Sequence, residues 1–176
     1  MNVSNKIRVY QIVIGSIPEE IQDCIDTVKA WCKRNDYNYT LITEIPKQYK
    51  DLPVRIASDY MRIDLLQEPF RAYVDWDIEI KRDIVLNNDP AIAGDCILYN
   101  GNETDLFKKI KKMMYPIRLA EGQIWSALRV IGKSQDIKKY FIDKNSYLHK
   151  NYSRRNTWNN KTITKTMAKI KWSRGQ

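Results

Sequence analysis

Residues 7–14 read Ile-Arg-Val-Tyr-Gln-Ile-Val-Ile and are followed by Gly15. A short run rich in β-branched residues that ends at a glycine predicts a buried first strand. Residues 16–34 then repeat apolar side chains at the spacing of one helix face, which predicts a helix. Ser16 and Glu19 fit a capping box at the start of this helix. The chain therefore opens with a strand followed by a helix.

The alternation of strands and helices continues through most of the chain. The later predicted elements are a strand at 37–43, a helix at 54–67, a strand at 70–80, a strand at 96–99, helices at 105–114 and 120–131, and a short strand near 140–142. This order predicts an α/β sandwich with a mainly parallel central sheet, in which ligands bind beyond the carboxyl ends of the strands. We expect residues 1–150 to form one small domain. Residues 151–176 are expected to form a basic C-terminal tail that is partly flexible or closes over the site.

The composition is that of a single folded domain. At 176 residues, with 43% hydrophobic and 29% charged residues, the chain can bury one core and hardly a second. It contains no apolar run of about 18 residues, and its first residues lack a signal-peptide core. The three cysteines, Cys24, Cys32 and Cys96, show no metal-ligand spacing. We therefore expect a cytoplasmic protein without a disulfide framework or a zinc site.

Charge is distributed unevenly along the sequence. Residues 1–95 carry 12 Lys or Arg against 16 Asp or Glu, whereas residues 96–176 carry 18 against 5. The basic second half predicts an anionic partner, which is a nucleotide diphosphate, a lipid headgroup surface or nucleic acid. A basic surface that only improves solubility is the alternative.

Two aspartates in the predicted third strand are candidates for chemistry. Asp75 and Asp77 are two residues apart, and side chains at that spacing on a strand lie on the same face. Two convergent carboxylates suit Mg²⁺ or Mn²⁺, which is typically held by one or two carboxylates together with substrate phosphates and water. Glu79 continues the alternation. A polar strand edge without a ligand is the alternative interpretation.

A second charged pair lies upstream, in the predicted helix at 54–67. Asp59 and Arg62 are three residues apart, so both side chains can face one side of the helix. Either they form a local ion pair, or the Arg62 fork binds a phosphate or sugar while Asp59 holds Arg62 or accepts a sugar hydroxyl. The spacing leaves both possibilities open.

Three segments together resemble the glycosyltransferases that have a sugar-binding region containing a DXD motif. These segments are residues 11–21, 57–62 and 73–77. The family includes fungal initiating mannosyltransferases, bacterial capsule and lipopolysaccharide transferases, and the glucosyltransferase domains of large toxins. The resemblance implies a GT-A fold, which is Rossmann-like, and a UDP- or GDP-sugar donor. It also implies a Mn²⁺ or Mg²⁺ cofactor and transfer of a hexose with retention at the anomeric carbon.

The same resemblance implies roles around the cation. Asp77 would ligate the metal, and Asp75 would contact the ribose and the donor sugar beside it. His149, the only histidine, resembles a late histidine that closes over the metal and the diphosphate, with a surface histidine as the alternative. Arg62 would hold the sugar and its phosphate. Asp75, Asp77 and Arg62 are thus the expected catalytic residues, and Asp75, Asp77 and His149 the expected metal site.

On the donor side, the resemblance implies contacts from both ends of the matched region. Asp59 would hold the sugar, Ser58 would assist it, and Tyr73 would pack beside the nucleotide. Gln11 and Val13 belong to the matched first strand and are expected at the donor as well.

Two departures from the family pattern affect the donor site. Val13 stands where members usually have a tryptophan that stacks on the donor base, so Tyr10 or Tyr73 is expected to replace it. Phe70-Arg71 replaces a pair of glycines before the acidic motif, which implies a loop of different shape.

The acceptor implied by the family is a saccharide, a lipid-linked sugar or a protein. If the acceptor is lipid-linked, the protein would bind peripherally to the anionic inner face of a membrane. Basic residues of the second half, such as Lys150, Arg154 and Arg155, would stabilise the leaving diphosphate.

Two other functions compete with this one. A phosphatase could use Asp-x-Asp as nucleophile and acid, although that class carries its motif on the first strand. A binder of anionic membranes or nucleic acid could use the basic amphipathic segment 108–115. Nucleic acid is not favoured as a partner, because basic surfaces of this kind more often accompany another function.

Overall fold

The computed structural model describes residues 6–93, 97–114, 152–156 and 163–166, the last two segments by their backbone only. The elements are β1 (Arg8–Ile12), α1 (Glu19–Arg34), β2 (Asn38–Ile42), a short 3-10 helix (Lys47–Tyr49), α2 (Val54–Leu65), β3 (Arg71–Val74), β4 (Ile78–Ile80), β5 (Ala91–Ala93), β6 (Ile97–Tyr99), α3 (Asp105–Met114), β7 (Tyr152–Asn156) and β8 (Ile163–Thr166). The predicted elements at 120–131 and 140–142 lie outside the described residues. None of the helices in the described part is long and apolar enough to cross a membrane.

Five strands form the main sheet, in the order β2-β1-β3-β6-β5. β1 is parallel to both of its neighbours, β2 and β3, whereas β6 is antiparallel to β3 and to β5. The prediction of a mainly parallel sheet therefore holds at the centre and fails toward the β5 edge. Only residues 94–96 separate β5 from β6, and so short a connection cannot form the crossover that a parallel pair requires.

Helices cover both faces of this sheet, because successive side chains of a strand point to opposite faces. Ala72 and Val74 of β3 share a buried cluster with Trp31 of α1. Tyr73, between them, belongs instead to the cluster that contains residues of α2 and α3, such as Phe107. The predicted α/β sandwich is therefore confirmed, with α1 on one face and α2 and α3 on the other.

The prediction of one strand over residues 70–80 is wrong. β3 ends at Val74, the next residues turn, and β4 belongs to a separate sheet of order β4-β7-β8. The turn is closed by the amide of Ile78, which donates to the carbonyl of Asp75 at 3.2 Å. Apolar and polar residues alternate on both sides of this turn, so periodicity alone does not reveal the bend.

The predicted capping box at Ser16 and Glu19 is also wrong. α1 begins at Glu19 directly after Pro18, whose backbone is extended and which makes no side-chain capping bond. α2 begins in the same way after Pro53. A proline suits such a boundary, because its ring fixes φ near the required value and it has no N–H that would need a partner.

At the far end of β3 from the turn, Asn100 connects three segments of the chain. It is fully buried, and its amide donates to the carbonyls of Leu66, at 3.0 Å, and of Glu68. Its side-chain oxygen accepts from the backbone amide of Arg71 at 2.8 Å. One side chain thus fixes the connection between the end of α2 and the start of β3.

We expect Asn100→Ala to lower the free energy of unfolding by about 1–3 kcal/mol, because buried carbonyls and an amide lose their partner. Urea unfolding measures this change. Asn102→Ala is the matched control, since Asn102 is exposed and its contact with the carbonyl of Asn88 is made by its backbone amide. Equal stability of the two variants would show that Asn100 does not fix this connection.

Candidate active site

The acidic turn, Asp75-Trp76-Asp77, lies directly beyond the carboxyl end of β3. Both aspartates are buried, with 2% of Asp75 and 7% of Asp77 exposed. They follow a strand end in a turn, so the expected arrangement of the two on one strand face is wrong. A buried carboxylate is costly unless it is paired and hydrogen-bonded, and the surrounding residues supply such partners for Asp75.

Tyr73 is the first of these partners. Its hydroxyl donates to Oδ1 of Asp75 at 2.7 Å. Burial raises the pKa of Tyr73 well above its ordinary value; nearby Arg62 lowers it, while the negative charges of Asp75 and Asp77 raise it further. The phenol therefore remains protonated and remains a donor. This hydrogen bond fixes the Asp75 carboxylate at the Tyr73 hydroxyl.

Arg62, in the last turn of α2, is the second partner. Its Nη2 lies 3.3 Å from Oδ1 of Asp75, and its Nη1 lies 3.8 Å from Oδ1 of Asp59. The guanidinium also lies over the Tyr73 ring, 4.7 Å from its centroid. The predicted local pair of Asp59 with Arg62 is present, and Arg62 in addition reaches the acidic turn, which lies 13 residues further along the chain.

Gln11 holds the backbone of the acidic turn. Its Nε2 donates to the carbonyl of Asp75 at 3.2 Å, and its Oε1 accepts from the hydroxyl of Tyr39 at 2.9 Å. Gln11 is fully buried, and burial raises the pKa of Tyr39, so that hydroxyl stays a donor. Gln11, expected at the donor, therefore contacts the turn that carries Asp75.

Tyr39 is the functional candidate that sequence reasoning missed. Val9 and Gln11 are opposite Tyr39 and Leu41 in the parallel register of β1 and β2. Residues two apart share a face, so Tyr39 and Gln11 lie on the same face of neighbouring strands. A correct pairing of the first two strands would have indicated this contact.

The remaining predicted donor residues are placed as follows. Val13 is a core residue, 5% exposed, in a cluster with residues of α1. Ser58 is buried on α2, beside Asp59. Tyr73 is fully buried beneath the Arg62 guanidinium, whereas Tyr10, its register neighbour on β1, is partly exposed. Of the two tyrosines expected to stack on a base, only Tyr10 keeps exposed surface.

Of the three residues expected at the cation, Asp75 and Asp77 lie in the described part of the chain. The described segments contain no group of three or more His, Cys, Asp or Glu placed to hold a metal ion. His149 and Lys150 lie outside the described residues. Asp75 and Asp77 fit Mg²⁺ or Mn²⁺ in kind, since such ions are often held by only one or two carboxylates with substrate phosphates.

The basic strand β7 runs beside the acidic turn. β7 is antiparallel to β4, and Arg154 is paired in register with Ile78, the residue that follows Asp77. The backbone of Arg154 and Arg155 therefore lies close to the turn, and residues 151–176 contain two of the strands of the second sheet. The division of the chain at residue 150 stays a prediction.

Comparison with known proteins gave few matches. No protein-family model and no curated protein matches the sequence. Among solved structures, the chain is similar to the PaToxG glycosyltransferase, with 17% identity, a TM-score of 0.48, and coverage of 76% of this chain and 73% of that chain. It is also similar to a glycosyltransferase involved in the glycosylation of the major capsid of PBCV-1, with 12% identity, a TM-score of 0.43, and coverage of 78% and 80%. Neither score reaches 0.5, so neither likeness establishes a common fold.

We expect Tyr39→Phe to lower the free energy of unfolding by about 1–3 kcal/mol, because the buried Oε1 of Gln11 loses its donor. Urea unfolding measures the loss, and Thr40→Ala, at an exposed position of the same strand, is the control. In a Gln11→Met background the same substitution should cost clearly less, since the acceptor is gone. Additive effects of the two substitutions would contradict the contact.

The stability of the protein should fall as the pH rises above 10. Tyr73 ionises near pH 10 in the unfolded chain, whereas its pKa in the folded protein is well above that value. Above pH 10 the folded state therefore binds more protons, and this residue removes up to about 1.4 kcal/mol of stability per pH unit. Tyr73→Phe should show a shallower decline in urea unfolding between pH 10 and 11.5. Equal slopes for the two proteins would contradict the raised pKa.

Proposed function

We propose that the protein is a metal-dependent glycosyltransferase that moves a hexose from a nucleotide-diphosphate sugar to a saccharide, glycolipid or protein acceptor. The observation that carries the proposal is the contact of Arg62 with Asp75 at the carboxyl end of β3, with Asp77 buried in the same turn. That edge, next to the parallel strand β1, is where α/β proteins bind their ligands. The sequence resemblance to DXD glycosyltransferases supports the same reaction.

The charged groups suit the two halves of such a donor. The planar guanidinium of Arg62 can donate two hydrogen bonds to a phosphate. Asp59 beside it can hold Arg62 in place or accept a hydrogen bond from a sugar hydroxyl. Asp77, with Asp75, would hold Mn²⁺ or Mg²⁺, and His149 is a further proposed ligand. When bound, the cation would neutralise charge that grows on the departing diphosphate.

In the reaction the bond between C1 of the donor sugar and the phosphate oxygen would break, the electron pair would leave with the diphosphate, and the acceptor oxygen would form the new bond to C1. Arg62 would stabilise the charge that develops on the phosphate oxygens, and Arg154 or Arg155 would add to it. Tyr73 keeps the Asp75 carboxylate in place through its hydrogen bond. The chain's own residues thus orient the donor and stabilise the leaving group.

We propose retention at the anomeric carbon because the described acidic residues of the second half offer no evident base for an inverting reaction. Glu103 and Asp105, the described acidic residues after residue 96, are exposed near the start of α3. The departing phosphate would itself take the proton of the acceptor hydroxyl. Determination of the anomeric configuration of the product tests this, and an inverted product would exclude it.

Two observations disfavour the competing functions. The acidic turn follows β3, whereas a phosphatase of the Asp-x-Asp class carries its motif on the first strand. The apolar residues of α3, such as Phe107 and Ile110, are buried against α2 and the sheet, so this face is not available for insertion into a membrane. The exposed lysines of α3 can still contact an anionic surface.

We expect Mn²⁺ and the correct UDP- or GDP-sugar together to stabilise the protein. At about a hundred times its Kd, a ligand adds about 2.7 kcal/mol, which raises Tm by roughly 5–10 °C for a chain of this size. A thermal-shift screen of nucleotide sugars, with and without Mn²⁺, measures this effect. No shift with any sugar nucleotide would argue against the proposed function.

Asp77→Asn should abolish the Mn²⁺-dependent part of the shift and reduce donor hydrolysis on the order of a hundredfold. Asp89→Asn is the matched control, because Asp89 is an exposed acidic residue away from the turn. If hydrolysis by the Asp77→Asn protein equals that of the control, Asp77 is not a ligand of the cation.

A further inference from the structure

Arg62 is already bound by the carboxylates of the candidate site. Its two terminal nitrogens contact Asp75 and Asp59, at 3.3 and 3.8 Å, and only 13% of its side chain is exposed. Arg62 contacts Oδ1 of Asp75, and the same oxygen accepts a hydrogen bond from the hydroxyl of Tyr73 at 2.7 Å. A cation that approaches this oxygen therefore meets two donors, one of which carries a positive charge.

The charge balance makes Arg62 and a divalent cation competitors. Asp75 is 2% exposed, and a carboxylate buried to that degree requires a positive partner, which Arg62 supplies in the protein without ligand. A metal ion that arrives alone must share Asp75 with Arg62, and two positive charges repel each other strongly in a site that is largely closed to water.

A diphosphate removes this conflict. Its oxygens can accept two hydrogen bonds from the Arg62 guanidinium, and these are at least as strong as the contact with Asp75. Its negative charge balances the positive charges of Arg62 and the metal at the same time. Once Arg62 contacts the phosphate, Asp75 is available to the cation. The diphosphate thus releases Asp75 for the cation, and the cation releases Arg62 for the diphosphate.

We infer that Arg62 is the counter-ion of Asp75 until the donor diphosphate takes Arg62 as its own partner and the cation replaces Arg62 at Asp75, so that the cation and the diphosphate bind cooperatively. The inference rests on the proposed function, because it takes the ligands to be a divalent cation and a diphosphate. Coupling of this kind is reciprocal, and each ligand raises the affinity for the other by the same factor.

The test is a pair of affinities measured by calorimetry on Arg62→Gln. Mn²⁺ alone should bind this variant roughly tenfold more tightly than it binds the wild type, because the competitor for Asp75 is gone. Inorganic pyrophosphate, at a fixed concentration of free Mn²⁺, should bind roughly tenfold more weakly, because the phosphate loses its contact with the Arg62 guanidinium. The opposite signs are the diagnostic result.

Other outcomes overturn the inference. If the substitution only disrupts the structure of the site, the affinities for Mn²⁺ and for pyrophosphate both fall. If Arg62 contacts neither ligand and does not compete for Asp75, neither affinity changes. Arg71→Gln is the matched control, since Arg71 is equally buried, at 13%, and pairs with Glu68 at the opposite end of β3. That variant should bind both ligands within about twofold of the wild type.

The wild type provides a second measurement that does not depend on the folding of Arg62→Gln. Pyrophosphate should raise its affinity for Mn²⁺ at least about tenfold, after correction for the complex that the two form in solution. If both ligands bind without this coupling, the inference fails while the proposed function stands. If neither ligand binds in any combination, the proposed function fails with it.

Discussion

The buried carboxyl group of Asp75 takes its partners from three separate elements of the fold. A charge with 2% exposure persists only if several elements supply partners at once. Tyr73 of β3 and Arg62 of α2 bind its side chain, and Gln11 of β1 binds its backbone carbonyl. The parallel pairing of β1 with β3 and the packing of α2 on the sheet are therefore conditions for this site as well as parts of the core.

Local periodicity predicted the elements that depend on local interactions. β1, β2, α2 and α3 lie within a few residues of their predicted bounds, because each buries one face that its sequence pattern marks. The contact of Asp59 with Arg62 was predictable for the same reason, since three residues make about one helical turn. The resemblance identified the acidic motif, but not the turn in which it lies.

The features that sequence analysis missed are non-local. β3 and β4 have the same alternating pattern, and only their assignment to different sheets shows that the chain bends at Asp75. The antiparallel edge follows from the short segment between β5 and β6, whose bounds the pattern did not give. Tyr39 reaches Gln11 across two paired strands. Each of these depends on which strands pair, and periodicity carries no information about pairing.

The bond between Tyr39 and Gln11 also affects how the chain can evolve. Tyr39 cannot be replaced by an apolar residue without leaving the fully buried Gln11 oxygen unsatisfied, so the effect of a substitution at position 39 depends on the residue at position 11. Substitutions are more readily tolerated at partly exposed positions, such as Tyr10 and Trp76, than at this pair. Directed evolution of the protein would do best to vary those positions first and to randomise Tyr39 and Gln11 only jointly.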